Sequence, residues 1–146
     1  QWDLFLPLSQ DDEYNFKTLH LPITGGQEEF DHLVLSLVKT IIDSLNEKEI
    51  VKQFKNSTDL KGGISKLEYW FSELNLSDYQ QQIKFLRNLQ ELRSTGTGHR
   101  KGKGYKKIAE VFGLDTDNYV DVFDRILLQA NAFILFLTTN FLPSDS

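Results

Sequence analysis

From Ile23 to Leu142 the chain runs for 120 residues without a proline, its three prolines lying at Pro7, Pro22 and Pro143. Proline breaks a helix because it lacks the backbone N–H and its ring clashes with the preceding turn, so this stretch is open to helix throughout. The apolar residues confirm that use of it. Phe30, Leu33, Val34, Leu37, Val38, Ile41, Ile42 and Leu45 step by threes and fours, the mark of one buried helical face. A shorter segment, Glu47 to Lys55, puts Ile50, Val51 and Phe54 on one side and ends at Asn56-Ser57-Thr58. After Gly62-Gly63 come Ile64, Leu67, Trp70, Phe71 and Leu74, closed by Asn75 to Ser77. Ser77-x-x-Gln80 has the form of a capping box opening the next helix, whose stripe is Ile83, Leu86, Leu89 and Leu92, with Gly96 as a left-handed stop. The glycine-rich stretch Ser94 to Gly104 reads as irregular. A short helix resumes near Tyr105 with Ile108, Val111 and Phe112 inward and ends at Gly113. The last helix spans about Asp117 to Asn140 on Val120, Phe123, Ile126, Leu127, Ala130, Phe133, Ile134 and Leu137. The expected fold is all-α, an antiparallel helical bundle of about four long and two short helices.

The first 25 residues follow a different rhythm. Trp2, Leu4, Leu6 and Leu8 alternate, as do Leu19, Leu21 and Ile23, which suits short strands or an extended arm. The division expected is therefore an N-terminal arm, or the remnant of an upstream domain, over 1–25 and a helical bundle over 26–142. A chain of 146 residues is of single-domain size. With no Met anywhere, it reads as a processed product or a domain cut from a longer protein whose other domains are partners.

Composition removes whole classes of function. The absence of cysteine excludes disulfide scaffolds, thiolate metal sites and cysteine nucleophiles, and leaves the redox compartment open. No segment offers the roughly 18 uninterrupted apolar residues of a spanning helix, because Tyr119 to Leu142 is interrupted by Asp121, Asp124, Arg125, Gln129 and Asn131. No membrane partner is expected. The net charge of -5 hides a polarity: Arg93, Arg100, Lys101, Lys103, Lys106 and Lys107 fall in one acid-free run, leaving 10 of the 16 basic residues against all 21 acids elsewhere. Such a run attracts anions locally, although many basic runs only keep a surface solvated.

Several familiar sites do not fit. From Gly96 the run to Gly102-Lys103 has five intervening residues where a phosphate loop has four, Gly104 stands where that loop needs Ser or Thr, and a helix precedes it instead of a strand. His20, His32 and His99 share no metal-ligand spacing, and no carboxylate pair stands out for acid-base work. Neither a metal nor a cofactor is implied.

Arg93-Ser94-Thr95-Gly96-Thr97-Gly98-His99 resembles the arginine, polar residue, four-to-six-residue gap, histidine signature of the HEPN superfamily, all-α domains known as metal-independent endoribonucleases and RNA-binding modules. The likeness extends over about Gly26 to Leu142. Family members more often carry Asn, Asp or His where Ser94 stands. The resemblance implies Arg93 and His99 as catalytic residues, Ser94 orienting Arg93, and a homodimer in which two motifs face one cleft. It also implies a cytoplasmic, defence or toxin-type protein, antiviral defence included.

The chemistry is consistent with these residue types. RNA cleavage by its own 2′-hydroxyl needs a base for that proton, an acid for the leaving oxygen and a cation for the crowded phosphoryl oxygens. Imidazole transfers protons near neutral pH, and a guanidinium fork matches phosphate. Arg100 and Lys101 would favour a neutral His99, hence a base, leaving the acid to a second subunit. On one continuous helix, residues six apart differ by about 240°, so Arg93 and His99 need a turn in the chain or a dimer to converge. Arg100, Lys101, Lys103, Lys106 and Lys107 are candidates for flanking phosphates and Tyr105 for stacking on a base, unless Tyr105 is a core contact. Arg93 near a helix C-terminus would also stabilise the helix dipole by about 0.3–1 kcal/mol, with no further role required. A non-catalytic RNA- or nucleotide-binding domain and a pure dimerisation bundle are the alternatives.

Overall fold

The apolar row from Phe30 to Leu45 becomes one helical rod. Helix α1 (Gln27–Val38) passes directly into a π-helical turn, Lys39–Asp43, and all eight residues of the row are buried. A computed structural model describes residues 3–11, 13, 19–96 and 102–142 of the chain. Five further helices follow: α2 (Glu47–Lys52), α3 (Gly63–Glu73), α4 (Tyr79–Gly96), α5 (Lys103–Phe112) and α6 (Tyr119–Phe141). Among the described residues there is no strand, and the fold is an all-α helical bundle with α2 and α5 as its short members.

Helix α4 is the hub, packing against α1, α3, α5 and α6. Its stripe Ile83, Leu86, Leu89 and Leu92 is buried as the spacing predicts, and Phe85 joins it. Aromatic rings tie the outer helices together. Phe30 of α1 lies 4.9 Å from Tyr119 and 6.2 Å from Phe123 at the start of α6. At the other end of α6, Phe141 stacks on Trp70 at 4.5 Å and Phe136 meets Phe71 edge-on at 5.3 Å, fastening α3 to α6. Phe71 has no exposed surface, so removing its ring would cost about 3–5 kcal/mol.

The ends of the elements have local causes. Asn118 caps α6, its side chain accepting from the Asp121 N–H at 2.9 Å, and Asn46 caps α2 in the same way. Gly113 closes α5 at φ 78°, where a Cβ would lie 2.8 Å from Arg125 Nη2; that guanidinium donates to the Phe112 carbonyl and pairs with Asp117.

Several sequence expectations need correction. The Ser77–Gln80 capping box does not open α4: the helix begins at Tyr79, and Asp78 before it adopts a left-handed φ of 62°, which aspartate tolerates. Gly96 is not a left-handed stop. It is the last residue of α4 and is buried, facing Asp31 of α1. The stretch Ser94 to Gly104 is thus less irregular than its glycines suggest, since α4 runs through Gly96 and α5 starts at Lys103. Val51, Val111 and Ile134, expected inward, are exposed because each lies about 100° round the helix from a neighbour that holds the core position: Ile50, Phe112 and Phe133. Leu74, also expected inward, is exposed at the C-cap of α3, beyond its last full turn. Val122 and Ala109 take core places that the pattern did not assign.

The N-terminal segment is extended only in part: Leu4 to Leu6 lie along the bundle, whereas Gln10, Asp11 and Glu13 are helical, the Glu13 N–H donating to the Ser9 carbonyl at 2.8 Å, where an arm or strand was expected. Leu6 N–H donates to the Ser44 carbonyl at 2.6 Å, Asn46 N–H donates to the Leu4 carbonyl at 2.7 Å, and Phe5 and Leu45 form an isolated antiparallel bridge. These bonds tie Leu4 to Leu6 to the end of the rod. No helix among the described residues is long and apolar enough to cross a membrane.

Candidate nucleic-acid interface

Two helices meet at the basic run. Helix α4 ends at Gly96 and α5 begins at Lys103, with few residues between them. The two helices touch: a Cβ on Gly104 would come within 3.7 Å of Thr95 and 3.9 Å of Glu91 on α4. The start of α5 therefore lies against the Glu91 and Thr95 face of α4, while Arg93, about 200° round the same helix from Glu91, faces the α1 rod.

On α5 the core face is Ile108, Ala109 and Phe112, all buried. Lys103, Lys106 and Lys107 stand at i, i+3 and i+4, hence on one face, and all three are exposed. They carry no ion pair with any described residue. Three ammonium groups on one turn and a half of helix repel each other, a cost that a bound anion relieves. Tyr105 is half-buried and packs against the core, so its ring serves the fold.

Arg93 occupies the last turn of α4 and leans toward the π turn that ends the α1 rod. Its Nη1 donates to Asp43 Oδ2 at 2.7 Å, a contact spanning 50 residues of sequence, with the two side chains 26% and 42% exposed. The Ser94 hydroxyl is spent on its own helix, donating to the Gln90 carbonyl at 3.0 Å, and Thr95 does the same to Glu91 at 2.8 Å. Among the described residues Asp43 pairs with Arg93, and the hydroxyl bond of Ser94 goes to its own helix. Nothing in the sequence marks Asp43, because a carboxylate on a distant helix has no spacing relation to the motif. His99, Arg100 and Lys101 lie outside the described residues.

Asp43 also lines a polar cleft of about 640 Å³ whose walls include Lys61, Ser65, Arg87 and Gln90. That volume falls in the range of about 300–1,000 Å³ typical of ligand sites. The cleft runs between the π turn, the start of α3 and the middle of α4; Arg93 is outside its lining and touches it only through Asp43. Arg87 is itself paired with Glu68 at 3.0 Å. Among the described residues no group of three or more His, Asp or Glu side chains converges to hold a metal ion.

No family model, curated protein or solved structure matches this chain. The case for function rests on its own residues.

Proposed function

We propose that this chain is a metal-independent endoribonuclease domain that binds RNA across the α4–α5 corner and cleaves it with Arg93 and His99 from two paired copies. The observation that carries the reading is the exposed face of Lys103, Lys106 and Lys107, unpaired among the described residues, on the helix that follows the one bearing Arg93. Lysines there neutralise phosphates of a strand, an interaction that weakens steeply as salt rises. Arg93 supplies a guanidinium for the phosphoryl oxygens, and His99, six residues on, supplies the proton transfer.

In the reaction the 2′-hydroxyl oxygen attacks phosphorus and the bond from phosphorus to the 5′-oxygen breaks. A base removes the 2′-hydroxyl proton and an acid returns one to the leaving 5′-oxygen, giving 2′,3′-cyclic phosphate and 5′-hydroxyl ends. His99 serves one of these roles, so the His99 of a second copy supplies the other.

A labelled RNA pool incubated with the purified chain in chelator, beside His99→Ala, tests the proposal. Cleavage to cyclic phosphate ends by the wild type alone supports it. Equal cleavage by both, or by neither, removes His99 from the chemistry. A second reading, RNA binding without cleavage, is favoured by one observation: Arg93 is engaged by Asp43 and so already has a structural task. It predicts salt-sensitive binding that survives His99→Ala.

A further inference from the structure

The rod that begins with α1 leaves α geometry over Lys39–Asp43. A ladder of hydroxyls runs into that turn: Ser36 donates to the His32 carbonyl at 3.0 Å, Thr40 to the Ser36 carbonyl at 2.8 Å, and Ser44 to the Thr40 carbonyl. Ser36 and Ser44 are buried, so these bonds are part of the core. Hydroxyls that bond back along a helix bend it, and a π turn accommodates an extra residue and so rotates the residues beyond it. The outcome is specific. Ile41 and Ile42 remain buried while Asp43 reaches across to α4 and meets Arg93. Single π turns are rare and recur at functional sites.

The pair differs from an ordinary surface ion pair. Arg93 is only 26% exposed, its partner sits on a different helix, and Asp43 borders the cleft shared with Lys61, Arg87 and Gln90. A long arginine side chain samples many rotamers, and a carboxylate that selects one of them keeps the guanidinium in place for a reaction. The same carboxylate is negative and repels phosphate, so it does not assist RNA binding.

Resting on the ribonuclease reading above, we infer that Asp43 is the positioning residue for Arg93, holding its guanidinium against the π turn in the orientation that meets the phosphate to be cleaved. The role acts on turnover and not on affinity. A change that merely loosened the fold would lower the active fraction whether or not Arg93 is present, whereas a positioning role disappears with Arg93.

The test measures kcat and KM on a labelled single-stranded RNA for wild type, Asp43→Ala and Asp43→Asn, each also in the Arg93→Ala background followed to low rates in single turnover. Asp43→Ala should lower kcat about tenfold with KM unchanged or reduced. Asp43→Asn matches the native side chain in size, keeps one oxygen acceptor and so guards against a folding failure; it should lose about threefold in kcat. Both effects should vanish once Arg93 is alanine, the sign of two residues acting as one unit. Wild-type kcat in both variants, or equal losses with and without Arg93, overturns the assignment while leaving the ribonuclease reading intact. A wild type that cleaves no RNA brings down that reading, and this assignment with it.

Discussion

Two charged corners of the bundle treat their charges in opposite ways. At the corner between α2 and α3, Glu73 accepts the Lys55 N–H at 3.1 Å, the Asn56 N–H at 3.1 Å and the Asn56 side chain at 3.3 Å, pinning the loop that leaves α2. Tyr69 meets Phe54 edge-on at 4.7 Å beneath it and donates to the Asn56 carbonyl, while Lys66 pairs with Glu47 at 2.6 Å and Arg87 with Glu68. At the α4–α5 corner, Lys103, Lys106 and Lys107 project from one helix face with no such pairing among the described residues. In the first corner charge is consumed in holding the chain. In the second it is left available, and an uncompensated cluster on a rigid helix suits a ligand better than a fold.

That contrast can be broken by experiment. The largest effect expected is on RNA affinity: Lys103→Glu, Lys106→Glu and Lys107→Glu together should weaken binding by about three orders of magnitude at moderate salt. They should also flatten the salt dependence by a slope of about 2. Filter binding across a salt series reads both, and an unchanged slope would return this corner to the class of solvated surfaces. Thermal stability should barely move.

Glu73→Ala should behave in the reverse way. Losing a carboxylate that accepts three N–H groups should lower stability by about 1–3 kcal/mol, seen as a shift in the denaturant midpoint, with RNA binding intact. Loss of binding without loss of stability would mean that the first corner is functional as well.

The smallest effect concerns pH. The Tyr69 phenol is held above its ordinary value by desolvation, and by the negative charge and hydrogen bond of Glu73. A raised folded-state value means that its stabilising contribution is present below the unfolded value of about 10 and is lost as pH climbs past it. Unfolding of the wild type between about pH 9 and 11 should therefore show a small alkaline loss of stability that Tyr69→Phe lacks. Identical curves would show that the Glu73 corner does not sense the phenol.

The helices were readable because a buried helical face needs apolar residues at a fixed angular spacing, and the stripes of α1, α3, α4 and α6 supply it over several turns. Short elements were less so. In α2 and α5, one or two residues decide which side is inward, and Val51 and Val111 stand next to the residue that the core took instead. Turn chemistry misled at Ser77, where a valid capping pattern yielded to the left-handed Asp78, and at Gly96, which stays helical and buried beside α1. The candidate site was legible only in its local parts. Arg93 and the lysines announce themselves as a basic run, and Lys103, Lys106 and Lys107 share a face as their spacing demands.

By itself the sequence determined the helical class, the faces of the long helices and the place where positive charge gathers, since each of these depends on residues near one another along the chain. Which groups meet across the chain was decided by tertiary structure alone. The bond between Arg93 and Asp43 requires α4 to pack on the α1 rod and a π turn to rotate Asp43 toward it. Those conditions are set by how buried faces fill a common core, a property of the whole packing that no short segment encodes.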